Sequence, residues 1–144
     1  MSGMKVENIL ILGVLPHDDS RRALYGAMTE VCCRYAGSVS SPLDFVGFGS
    51  NRRERYKHVS GLVDKTSFVV ADHTRTALKH GVGIEYSLRV KKPMVATTLD
   101  GIDLPEEIEL CPSLFGNVIY ENLDDLRSGL NRMLGSLSPQ RFVA

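Results

Sequence analysis

The sequence predicts a single α/β domain over residues 1–144, a Rossmann-like (flavodoxin-like) sandwich on a central parallel sheet of about five strands. Three observations predict it. Short continuous runs of β-branched residues and leucine, such as Ile9-Leu10-Ile11-Leu12 and Phe68-Val69-Val70-Ala71, read as strands buried on both faces. Segments with helical spacing of apolar residues separate these runs, the order that right-handed crossovers between parallel strands require. A length of 144 residues, 43% of them hydrophobic and 24% charged, suits one ordinary core and excludes a disordered, collagen-like or coiled-coil chain.

The elements follow in order. Residues 8–14 form the first strand, which stops at Leu15-Pro16-His17-Asp18-Asp19, a loop in which Asp19 or Ser20 caps the next helix. In that helix Leu24, Ala27, Met28, Val31, Cys32 and Tyr35 recur at helical spacing, and Gly37 is placed to supply a left-handed residue at its end. A second strand lies between Gly37 and Phe48, interrupted by Pro42. Residues 51–65 read as a helix with a polar start and an apolar face of Tyr56, Val59, Leu62 and Val63. Residues 67–71 make another buried strand, followed by an irregular loop over 72–80. Gly81-Val82-Gly83 then opens a helix carrying Glu85, Leu88 and Val90. Strands at 93–97 and 118–120 and a closing helix marked by Leu123, Leu126, Leu130 and Met133, capped by Asn122, complete the chain.

Charge and composition narrow the partners. Lys plus Arg and Asp plus Glu balance at 17 each, so no overall field draws the protein to a nucleic-acid polymer or an anionic membrane, and a ligand is expected to be recognised locally. The longest apolar run near the N-terminus, residues 9–15, is too short to span a bilayer or act as a signal sequence, and a cytoplasmic location is expected. Cys32, Cys33 and Cys111 are an odd set without CxxC spacing and read as reduced thiols. His17, His58, His73 and His80 lack metal-ligand spacing, so no metal site is expected. The basic run Arg52, Arg53, Arg55 and Lys57 is broken by Glu54 and reads as a solvated helix face.

Parallel sheets bind ligands at the carboxyl ends of their strands, which singles out the loops at 14–20 and 72–83. Within the second, Gly81 and Gly83 flank Val82 at a helix start. Glycines there let a ligand reach the main chain, and free N–H groups favour an anion, although the same pair also permits a tight strand-to-helix turn. Glu85 falls in the first turn of that helix. It suits the helix dipole and stands four residues before Arg89, a surface pairing distance; a carboxylate beside a main-chain-lined pocket is equally placed to attack an anomeric carbon.

The segment Phe68-Val69-Val70-Ala71-Asp72, then Gly81-Val82-Gly83-Ile84-Glu85-Tyr86-Ser87-Leu88, then Lys92-Pro93 and an apolar strand resembles the signature of the nucleoside deoxyribosyltransferase superfamily. The N-terminal run Ile9-Leu10-Ile11-Leu12-Gly13, with Ala23-Leu24-Tyr25 in the first helix and Ser41-Pro42 after the second strand, is similar to its 2′-deoxynucleoside 5′-monophosphate N-glycosidase branch. The resemblance implies a glutamate nucleophile at Glu85 and a homodimer or larger assembly whose sites borrow a residue from the neighbouring subunit; substrate contacts are expected from Gly13, Val14, Leu15, Lys79, His80, Gly81 and Gly83, and no cofactor is expected. The substrate it implies is a small-molecule nucleoside or nucleotide.

The sequence also departs from that pattern. A Tyr is usual within the first strand, where this chain has Leu10, and an Asp is usual on the helix before the third strand, where the nearest candidate is His58. Protonation of a departing base is therefore assigned to His58 or Asp72, imidazole being able to donate a proton near neutral pH. In the first loop Asp18 and Asp19 would repel a 5′-phosphate, whereas Lys79 and His80 would attract one, leaving nucleoside and nucleotide both open.

Overall fold

The computed structural model describes residues 5–13, 18–44, 51–73 and 82–137. Five strands and five helices alternate: β1 (Val6–Leu12), α1 (Asp19–Cys32), β2 (Ala36–Ser40), α2 (Arg52–Lys65), β3 (Phe68–His73), α3 (Val82–Arg89), β4 (Met94–Leu99), α4 (Glu106–Glu109), β5 (Leu114–Tyr120) and α5 (Leu123–Ser136). The strands form one sheet in the order β2-β1-β3-β4-β5, and every neighbouring pair is parallel. This is the expected flavodoxin-like architecture. Strand order reverses direction between β1 and β3, which makes their carboxyl ends the switch point where such sheets receive ligands.

Alternation along β3 divides the core into two layers. Phe68 and Val70 face α1 and α5, where they join Tyr25, Met28, Leu126, Leu130 and Leu134. Val69 and Ala71 face the opposite layer, with Leu10, Leu12, Val63, Ile84 and Ile108. All six residues of β3 are buried, as a central parallel strand demands.

Helix starts are set by side-chain caps. Asp18 accepts from the Arg21 amide at 2.8 Å, Asn51 from the Glu54 amide at 2.9 Å, and Asn122 from the Asp125 amide at 2.9 Å. The cap of α1 is thus Asp18, one residue before Asp19 and two before Ser20, the candidates read from sequence. Its end also differs: α1 stops at Cys32, and Gly37 lies within β2 without a positive φ. A Cβ at Gly37 would sit 3.2 Å from the Glu7 carbonyl oxygen, so close strand approach is what that glycine serves. Tyr35 lies beyond the helix, and its hydroxyl donates to Asn131 of α5 at 2.6 Å.

Strand β5 begins four residues before the expected 118, since Leu114-Phe115-Gly116 carries a register irregularity opposite Met94 and Val95 that hides its period. Helix α3 ends at Arg89, ahead of Val90, and Lys91 takes a positive φ of 58° just beyond it. No helix among the described residues is long and apolar enough to cross a membrane.

Candidate functional site

The carboxyl end of β3 carries Asp72 and His73, both buried. Asp72 continues the strand instead of opening the loop, and its side chain follows Val70 into the α1–α5 layer. There it accepts hydrogen bonds from the Tyr25 hydroxyl and from the Thr97 hydroxyl, each at 3.2 Å. Tyr25 reaches it from α1 by crossing under the end of β1, where a Cβ on Gly13 would stand 2.3 Å from the tyrosine oxygen. That side of Gly13 is therefore filled by a phenol of the protein itself. The absence of a side chain there serves the Tyr25–Asp72 contact.

Tyr120, on β5, is the second phenol near this carboxylate. Its hydroxyl is buried and has no hydrogen-bond partner among the described residues. Burial first, and then the negative charges of Asp72 and of Tyr25, push its ionisation well above the ordinary tyrosine range, with Arg21 opposing. A hollow of about 340 Å³ opens above it, walled by Asp18, Arg21, Leu24, Leu99, Tyr120 and Asn122 among others.

Glu85 lies in the other layer. Gly83 and Ile84 are buried against the α2 side of the sheet: a Cβ on Gly83 would meet Leu12 Cδ2 at 2.8 Å and Val59 Cγ1 at 2.9 Å. Packing thus accounts for Gly83, because only a residue without a side chain lets the first turn of α3 close on β1 and α2. With Gly83, Ile84 and Ser87 turned inward, helical geometry rotates Glu85 outward, and its side chain is exposed. The sequence reading set this carboxylate and Asp72 in one site; the fold puts them on opposite faces of β3. Nor does Glu85 pair with Arg89 among the described residues. Arg89 donates instead to the Tyr56 hydroxyl at 3.3 Å and lies 5.7 Å from the centre of the Tyr86 ring.

His58 is half-buried on α2, next to Val59, the residue that abuts the first turn of α3. The structure thus brings the His58 segment and the Glu85 turn together in one layer. Leu10, at the position where the resemblance expects a tyrosine, is 2% exposed within an apolar cluster of Leu12, Val63, Val69 and Ile84. Val14, Leu15, Lys79, His80 and Gly81, expected at the substrate, lie outside the described residues. No group of three or more metal-ligating side chains occurs among the described residues.

Sequence reasoning missed the Tyr25–Asp72–Thr97 cluster. Tyr25 entered only through the similarity of Ala23-Leu24-Tyr25, and no local pattern tells which buried ring carries a hydroxyl to a distant strand. Asp72 directly after four apolar residues was the available signal, since a carboxylate at the end of a fully buried strand needs donors.

No family model matches the chain, and no curated protein matches it. Among solved structures, a pilus assembly-related protein from Burkholderia pseudomallei K96243 is 16% identical, with 92% of each chain covered and a TM-score of 0.48. The signal receiver domain of a modulated diguanylate cyclase from Desulfovibrio desulfuricans G20 is 14% identical, with 96% of this chain and 97% of that one covered, also at a TM-score of 0.48.

Proposed function

We propose that the protein cleaves or transfers the N-glycosidic bond of a (deoxy)nucleoside or nucleoside 5′-monophosphate, with Glu85 as nucleophile. The observation that carries this reading is the position of Val82-Gly83-Ile84-Glu85. It follows β3 at the strand-order reversal and places an accessible carboxylate in the first turn of α3. The resemblance of the same residues to the nucleoside deoxyribosyltransferase superfamily supplies the reaction class.

In the proposed course a Glu85 carboxylate oxygen attacks the anomeric carbon as the bond to the base nitrogen breaks. The base leaves with a proton from His58, through an oxocarbenium-like transition state. Water then attacks the glycosyl-enzyme ester and returns its proton to His58, releasing the sugar; a second base in place of water gives transfer. His58 takes the acid role because it shares a layer with Glu85, whereas Asp72 faces away and is held by Tyr25 and Thr97. No cofactor enters this chemistry. A homodimer or larger cytoplasmic assembly belongs to the same reading, a neighbouring subunit closing over the exposed carboxylate.

A second reading, a non-catalytic nucleotide-binding or regulatory protein of the same fold, is favoured by Leu10, whose apolar side chain offers no hydroxyl at that position of β1 to orient the carboxylate. One experiment separates the two. The protein is incubated with a panel of nucleosides and their monophosphates, and free base is followed by chromatography. Base release abolished in Glu85→Gln supports the enzyme; saturable binding with no base released supports the regulator.

A further inference from the structure

Strand β5 closes one side of the sheet, and past its irregular start its sequence does nothing to blunt it. Leu-Phe-Gly-Asn-Val-Ile-Tyr contains no charge and no proline, the devices that usually keep an edge strand from pairing. Its first residues are irregular opposite Met94 and Val95, but residues 116–120 run in regular register with β4 and have no strand on their outer side among the described residues. Ile119 is 62% exposed on this strand. Hollows flank it on both faces of the sheet: one of about 360 Å³ beneath α5, lined by Val118, Gly129, Arg132 and Met133, and one of about 620 Å³ beside α4, lined by Ile102, Leu104 and Ile119 among others.

Helix α5 shows what covers this edge. Leu126, Leu130 and Leu134 face the core, while Arg127 turns to α1, where it meets Glu30 at 2.8 Å. The remaining flank, over β5, presents Asp125, Gly129, Arg132 and Ser136, spaced at helical repeats with an acid near one end and a base towards the other. The charges are complementary to themselves when two copies run antiparallel, since Asp125 of each then approaches Arg132 of the other; Gly129 between them packs on β5, where a Cβ would meet Val118 at 2.7 Å.

We propose that β5 is a self-association edge: two copies of this chain pair antiparallel along residues 116–120 about a twofold axis, extending the sheet, with the two α5 helices side by side. The proposal is independent of glycosyl chemistry at Glu85, because β5 lies two strands from β3 and does not cover the first turn of α3.

Sedimentation equilibrium of the full chain over a range of concentrations tests it. A monomer–dimer equilibrium is expected, with concentration-dependent hydrogen-exchange protection in β5. Ile119→Lys, at an exposed position that the monomer fold tolerates, raises the dissociation constant by about tenfold or more. Arg132→Glu weakens association likewise, and Asp125→Arg combined with Arg132→Glu restores it. A chain that stays monomeric at every concentration, or a dimer indifferent to all three variants, overturns the proposal; circular dichroism matching the parent confirms that the variants are folded.

Discussion

The Tyr25 hydroxyl donates to the Asp72 carboxylate at 3.2 Å, linking α1 to the end of the central strand through the space that Gly13 leaves open. A helix, two adjacent strands and a buried charge are thereby made to depend on one another. Tyr25→Phe removes a donor from a carboxylate that is 6% exposed and should cost about 1–3 kcal/mol in urea unfolding. Gly13→Ala drives a methyl group into the phenol and should cost a comparable ~1–3 kcal/mol. In the double variant the ring has lost the oxygen that the methyl would strike, so the two losses should add to less than their sum, a coupling that a double-mutant cycle reads directly.

Gly83 makes a parallel prediction in the opposite layer. Gly83→Ala places a Cβ 2.8 Å from Leu12 and 2.9 Å from Val59, and overpacking of this kind costs about 1–3 kcal/mol despite the better helix propensity of alanine. Shortening the obstruction with Val59→Ala should recover part of that loss in the Gly83→Ala background, measured again by chemical unfolding.

How much of this was legible in the sequence depended on whether the information was local. Runs such as Phe68 to Ala71 gave the buried strands because a central parallel strand has no solvent side to encode. Asn122 announced α5 because a cap acts within three residues. The Tyr25–Asp72 contact joins residues 47 apart and left no periodic trace. Glu85 was legible as a residue of interest from its glycines, but its outward direction was decided by Gly83, Ile84 and Ser87 packing against Leu12 and Val59, which spacing alone did not reveal. The division of Asp72 and Glu85 between two faces came from the parity of β3, whose end lay two residues beyond the expected 71.

Alkaline pH should expose the environment of Tyr120. Burial, together with Asp72 and Tyr25, raises its ionisation in the folded state above the unfolded value of about 10. Folded protein therefore holds this proton more tightly than unfolded chain. Stability is unaffected below the unfolded value, falls as pH rises from there towards the folded one, and levels off above it. Stability measured against pH should show this decline, and Tyr120→Phe should flatten it. Tyr86 is also raised, chiefly by the hydrogen bond it donates to Asp64 at 2.7 Å, so Asp64→Asn should let its phenolate absorbance appear at lower pH.

The N-terminal cap of α5 offers a simpler check. Asn122 accepts from the Asp125 amide at 2.9 Å, and Asn122→Ala should lower stability by about 1 kcal/mol. The loss should be smaller in Asn122→Gly, since glycine is itself tolerated at this position.

The central claim is that the Glu85 carboxylate performs the chemistry. Its side chain is exposed, so Glu85→Gln should leave the unfolding free energy within about 0.5 kcal/mol of the parent. The decisive measurement is base release from nucleosides and nucleoside monophosphates by Glu85→Gln beside the parent protein under identical conditions. The account predicts release by the parent and none above background by the variant; equal release by both would contradict it, and so would a folded parent protein that releases no base from any member of the panel.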